Sequence, residues 1–291
     1  MEVISIGTAQ PLTAVRADLA HEMDLLNRQG LAVQYLEENR GIYSFVDCRL
    51  EQLPGGDQSG QARVLRYYLA NVITDVILNP LTREMLAKLL RARYRLLTEE
   101  ENEAVVAEAL SSLSKPNDAE IPRRILRRNQ ILAKVLRFLE RNNQIILEGF
   151  LRFQLKDYYA ELREAVERAL DRHLLQREYR EFIRLLRCFV EMQSPRIEEV
   201  NVRVKGGGMF SLLDEEGHPI EHEQLRNVLT DLGPEEIDYE DLLLSALITI
   251  SPSRVVLHVI DPLEVVDTIK QVFGERVVIC GGCSICGPWI H

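Results

Sequence analysis

Residues 161–192, ELREAVERALDRHLLQREYREFIRLLRCFVEM, decide how the chain is organised. Leu162, Val166, Ala169, Leu170, Leu174, Phe182, Ile183, Leu186, Phe189 and Val190 recur at helical spacing, so they line one face of an α-helix. Neither Gly nor Pro interrupts the run. The spacing therefore predicts a single helix of roughly 45–50 Å at about 1.5 Å per residue. It is the spine of a helical body.

Upstream, residues 61–193 are helix-permissive, with Pro80 and Pro116 expected to break them. Thr98 and Glu101 form a capping box that opens a helix. Pro122 suits the first position of a basic helix over 123–141, and Asn142-Asn143 marks a turn. Residues 54–60, PGGDQSG, read as a linker. Before it, Val3–Ile6 reads as a strand ended by Gly7, and Leu12–Arg28 as a helix closed by Gly30. Leu31–Leu36 and Ile42–Cys48 read as strands around a Glu37–Gly41 turn.

Downstream, residues 199–205 and 209–213 predict a hairpin about Gly206-Gly207-Gly208, with a second turn at Asp214–Gly217. Tyr239–Ile250 predicts a helix. Strand Arg254–Ile260, helix Pro262–Phe273, Gly274 and strand Arg276–Ile279 predict a right-handed parallel crossover. The expected fold class is α+β. A small N-terminal β-α-β-β unit (1–53) precedes a central helical body with one long helix (61–194). A C-terminal α/β domain with a hairpin and a β-α-β unit follows (195–291).

The 291 residues are 46% hydrophobic and 27% charged, which excludes wholesale disorder. No run reaches 18 apolar residues, which excludes a membrane-spanning helix. Residues 1–7, MEVISIG, lack the features of a secretory signal, so the expected location is cytoplasmic. The net charge of −10 disfavours nucleic acid and anionic membranes as partners. Acid is concentrated in residues 195–241, with 13 acidic against 4 basic residues, whereas residues 119–141 hold 7 basic against 2 acidic. Arg outnumbers Lys 29 to 6, which a GC-rich genome explains without any nucleic-acid role.

Residues 278–288, VICGGCSICGP, carry the strongest chemical signal. Cys280 and Cys283 form a C-x-x-C pair in a Gly-containing turn that can aim both sulfurs at one point, and Cys286 follows at the same interval. Such thiolates suit zinc, Cu(I) or an iron–sulfur cluster. The spacing matches the start of the ferredoxin run C-x2-C-x2-C-x3-C, but the fourth position is Ile290. His291 is then a fourth ligand for a Cys3His zinc site; Cys48, a carboxylate, water or a second subunit are others. Competing readings are a thiol-redox pair and reduced, unliganded cysteines. Five cysteines in a long chain do not suggest a disulfide framework.

Other groupings have plainer readings. Residues 218–223, HPIEHE, contain Pro219, which prevents the helical zinc-protease arrangement, so they read as exposed turn residues. Residues 205–209, KGGGM, lack phosphate-loop spacing and read as the hairpin turn. On the basic helix, Arg124, Arg127, Arg128 and Lys134 fall on overlapping faces that can meet phosphates or an acidic partner. A solvated face paired with the acidic C-terminal third is the plainer alternative. Tyr158, Tyr159, Tyr179, Phe182 and Phe189 read as packing. No nucleophile elbow, Ser-His-Asp order or kinase set is present, so no catalytic residue is nominated.

Two stretches resemble the YtxC family of sporulation proteins of endospore-forming bacteria. Residues 148–158, EGFLRFQLKDY, and 178–190, EYREFIRLLRCFV, are similar to its EGF, FRLK-Y and EY-EFI-LLRYFV patterns. They depart at Gln154, where the family favours Arg, and at Cys188, where an aromatic is usual. Residues 267–270, DTIK, with Val272-Phe273, Arg276-Val277 and Cys280–Cys286, resemble its ETIK-VF-RV and C-GC-C ending. The resemblance implies a link to sporulation and no particular reaction. The leading expectation is a cytoplasmic sporulation-associated protein with a thiolate metal site holding zinc or an iron–sulfur cluster. The alternatives are a thiol-redox or iron–sulfur enzyme, and an interaction module that docks a protein partner, or a second copy, through its long or basic helices.

Overall fold

The computed structural model describes residues 2–9, 21, 23–24, 26–28, 32–51, 58–114, 123–204, 210–220, 239–258, 264–283 and 285. The chain forms two compact units, Met1–Leu174 and Leu175–His291. The α+β expectation holds.

In the first unit, β1 (Glu2–Thr8), β2 (Val33–Arg40), β3 (Tyr43–Leu50) and β4 (Gln144–Ile146) form a sheet in the order β2-β3-β1-β4. β1 and β2 are antiparallel to β3, and β4 is parallel to β1. Residues 21, 23–24 and 26–28 are helical, as expected between β1 and β2. The β2–β3 turn is shorter than the sequence suggests. Arg40 pairs with Tyr43, leaving Gly41 and Ile42 as the loop. Gly41 has φ +68°, and a glycine at the first central position lets two residues reverse the chain while the strands continue pairing.

Helices α1 (Gln58–Val76) and α2 (Thr82–Arg93) are joined by a π turn, Ile77–Leu81. Pro80 thus lies inside a continuous helical run and does not end it. The wider turn accommodates the proline's missing N–H, and the Thr82 hydroxyl donates to the Ile77 carbonyl at 2.6 Å. Helix α3 (Glu99–Ser114) opens with the expected capping box: Glu101 N–H donates to Thr98 Oγ1 at 3.2 Å, and Thr98 N–H to Glu101 Oε2 at 2.8 Å. Helix α4 (Arg123–Leu139) buries Ile131, Val135 and Leu139 but leaves Ile125 and Leu126 exposed. After α5 (Leu147–Gln154) comes α6 (Lys156–Met192), 37 residues long, starting five residues before the periodic stretch. The core joins Ile4, Ile6 and Ile145 of the sheet to Leu65, Leu69 and Leu162 of the helices.

The last part of α6 belongs to the second unit, where Ile183 and Val190 enter its core. Tyr179, Phe182 and Phe189 are about half exposed, contrary to the packing role expected for them. The sheet here runs β6-β5-β7-β8, with β5 (Ile197–Val204), β6 (Phe210–Leu213), β7 (Pro252–His258) and β8 (Val277–Ile279). β5 and β6 form the expected hairpin, and β7 lies between β5 and β8, parallel to both. Helix α7 (Tyr239–Ile250) precedes β7, and α8 (Glu264–Phe273) links β7 to β8. Gly274, at φ +57°, ends α8 in the left-handed conformation that caps helices. Leu243, Leu247, Ile269 and Phe273 pack with Val200, Val202, Val255 and Leu257. Among the described residues no helix is long and apolar enough to cross a membrane.

Candidate metal centre

The register of the second sheet fixes the centre. Leu257 of β7 pairs with Ile279 of β8. One residue further, Cys280 N–H donates to the Leu257 carbonyl at 2.9 Å. The carboxyl ends of two parallel strands thereby bring His258 beside Cys280, where ligands collect in open α/β sheets. The chain then turns through Gly281 and Gly282. Gly282 has φ +123°, a conformation side chains other than glycine's rarely adopt. This turn returns Cys283 to the site, with its Sγ 3.6 Å from His258 Nδ1. Gly282 N–H points to Cys280 Sγ at 3.4 Å. One donor atom from each of His258, Cys280 and Cys283 lies within 4.8 Å of the others.

Asn201 orients the imidazole. It lies on β5 in register with Val256, so it shares a sheet face with His258 two residues on. Its Nδ2 donates to the Asp214 carbonyl at 3.0 Å and to Glu199 Oε1 at 3.2 Å. Both partners are acceptors, so the amide oxygen must face His258 Nε2, 2.8 Å away. That oxygen only accepts, so Nε2 carries the proton and Nδ1 offers its lone pair toward the sulfurs. An imidazole whose second nitrogen is hydrogen-bonded to an oxygen is the usual outer-shell arrangement of a histidine metal ligand. His258 is 3% exposed. Burial, helped by Arg203 and opposed by Glu199, holds its pKa below the ordinary histidine value, which favours the neutral, ligating form.

The donor set fits zinc. Zn–S bonds of about 2.3 Å and Zn–N bonds of about 2.0–2.1 Å in a tetrahedron separate ligand atoms by about 3.5–3.8 Å. The Cys283–His258 separation of 3.6 Å already meets that spacing.

Of the ligands expected from sequence, Cys280 and Cys283 come together, while Cys286 and His291 lie outside the described residues. No motif in the sequence singles out His258. Its only local signal is a polar side chain at the end of an apolar strand; its place in the site comes from the pairing of β7 with β8. Cys48, named as another source of a ligand, is fully buried in the first unit's core. Burial pushes its thiol up to about 12, with Asp47 adding to the effect. A second grouping, Asp214, Glu216 and His218, is exposed or half-buried, and Asp214 Oδ1 already accepts the backbone N–H groups of Glu216 and His218. His222 and residues 205–209 lie outside the described residues.

Three of the four basic residues singled out on α4 find carboxylate partners on the first unit's own helices. Arg128 forms a two-pronged ion pair with Asp75 at 3.0 Å, which raises its pKa. Arg127 donates to Glu161 at 2.7 Å and to the Leu113 carbonyl at 2.9 Å. Lys134 lies 3.8 Å from Asp157. Arg124 is exposed, with no ion-pair partner among the described residues.

The chain is 26% identical over 227 residues to the uncharacterised protein YtxC of Bacillus subtilis (strain 168), covering 77% of this chain and 80% of the relative. No solved structure matches it. The profile of the YtxC-like family matches residues 67–278, a span that includes Asn201 and His258 and ends just before Cys280. The chain belongs to the YtxC-like family.

Proposed function

We propose that this is a cytoplasmic, sporulation-associated protein whose second unit carries a structural zinc ion on His258 Nδ1, Cys280 Sγ and Cys283 Sγ. The observation that carries the reading is the 3.6 Å approach of Cys283 Sγ to the one nitrogen of His258 that Asn201 leaves as an acceptor. Zinc completes a tetrahedron with a fourth donor, for which the sequence offers Cys286 and His291 beyond Cys283. An imidazole among thiolates suits zinc better than the all-thiolate set usual for iron–sulfur clusters. Bound there, the ion ties the segment after β8 to the end of β7. That adds a crosslink where β8 supplies only three residues of pairing. The sporulation assignment rests on the family resemblance.

Elemental analysis of protein purified anaerobically from metal-replete cells tests the reading. Close to one zinc per chain is expected, with His258→Ala and Cys283→Ser each lowering it well below that. Several irons with acid-labile sulfide would replace zinc with a cluster. Metal-free protein with a Cys280–Cys283 disulfide on oxidation would replace it with a redox pair.

A further inference from the structure

The geometry points to a second binding site in the first unit: an anion pocket at the π turn that takes a phosphate monoester with an apolar body. A cavity of about 500 Å³, within the size range of small-molecule sites, opens between the π turn, the end of α3 and the start of α4. Four arginines line it, Arg83, Arg124, Arg127 and Arg128, against one lining carboxylate, Asp75. Asp75 is taken by Arg128, and Glu161 by Arg127. Arg83 and Arg124 have no ion-pair partner among the described residues, so two cations face one concavity in a chain of net charge −10. A concave wall of one sign focuses the field on an opposite charge.

Two features make the cavity a built site. The Arg127 guanidinium lies over the Tyr158 ring at 5.5 Å and is tied to the Leu113 carbonyl, so its plane is fixed before any ligand arrives. Below it, the Tyr158 hydroxyl meets the buried Thr82 hydroxyl at 2.6 Å, locking α6 to the π turn. π turns occur frequently at functional sites, and this one presents Asn79 and Pro80 to the cavity. Leu78, Leu110 and Leu113 supply an apolar floor. Planar, multidentate donors beside an apolar surface recognise a phosphate joined to a carbon skeleton better than a bare ion.

Calorimetric titration of the full chain with phenyl phosphate, and separately with inorganic phosphate, tests the site. Phenyl phosphate is expected to bind and raise the melting temperature, with inorganic phosphate weaker. Arg83→Gln with Arg124→Gln is expected to weaken phenyl phosphate by about tenfold or more, with zinc content and circular dichroism unchanged. No binding of either probe, or equal binding by the double variant, overturns the site. Equal affinity for the two probes overturns the apolar part of the ligand.

Discussion

Asn201 Oδ1 accepts a hydrogen bond from His258 Nε2 at 2.8 Å, with both residues only 3% exposed. This contact sets which imidazole nitrogen faces the cysteines. Asn201→Ala removes the acceptor and releases the ring, so zinc affinity should fall about 10- to 100-fold. Asn201→Asp keeps an acceptor facing Nε2 but sets its second oxygen against the Asp214 carbonyl and Glu199, so the affinity should fall less than in Asn201→Ala. Competition with a chromogenic chelator reads both, and equal losses in the two variants would contradict the orienting role.

The cysteines should separate by reactivity. Cys188 is exposed and Cys48 is fully buried. A thiol reagent should therefore label Cys188 in the native protein and reach Cys48 only on unfolding. Zinc should protect Cys280 and Cys283, and chelation should expose them. Mass mapping of the labelled peptides checks all four.

The same burial makes stability fall at alkaline pH. The Cys48 thiol moves from an ordinary 9.0 up to about 12 in the folded chain. The folded state holds the proton more tightly, so this contribution is complete below pH 9.0 and is lost as pH rises toward about 12. The loss is at most about 1.4 kcal/mol per pH unit. Cys48→Ala should flatten that alkaline slope in denaturant titrations while lowering stability at neutral pH; an unchanged slope would assign it to other groups.

Thr82 and Tyr158 should couple strongly. The single Thr82 hydroxyl hydrogen goes to the Ile77 carbonyl, so the Tyr158 hydroxyl is the donor between them. Thr82→Val leaves the buried Tyr158 hydroxyl without its acceptor, while the Ile77 carbonyl keeps the Thr82 backbone N–H, at about 1–3 kcal/mol. Tyr158→Phe removes the donor and leaves the Thr82–Ile77 bond intact, so it should cost less. The double variant should cost less than the sum, and strict additivity in a double-mutant cycle would contradict the bond.

The capping box on α3 is exposed, which isolates its local effect. Thr98→Ala loses the oxygen that accepts Glu101 N–H and should destabilise the first unit by about 1 kcal/mol. Thr98→Ser should be close to neutral. Thermal melts of the two variants decide it.

The elements legible in the sequence are those whose signal is local. The α6 stripe, the Thr98–Glu101 cap, Gly274 after α8 and the β7-α8-β8 alternation are each written in adjacent residues. What was missed depends on distant partners. β4 is three residues long, too short for periodicity, and becomes a strand because Ser5–Gly7 of β1 lie beside it. Pro80 looks like a helix stop until Thr82 and Tyr158 support the wider turn. In the site, Cys280 and Cys283 announce themselves by spacing. His258 is one histidine in a strand, made a ligand candidate by the register of β7 on β8 and by an asparagine 57 residues away. For Tyr179, Phe182 and Phe189 on α6, periodicity shows that a face is apolar, not what covers it.

X-ray absorption at the zinc edge of the metal-replete protein tests the central claim most directly. The account predicts a sulfur shell at about 2.3 Å with at least two scatterers, and an imidazole nitrogen at about 2.0–2.1 Å that disappears in His258→Ala. A shell of oxygen and nitrogen alone, or a spectrum that His258→Ala leaves unchanged, would contradict a centre built on His258, Cys280 and Cys283.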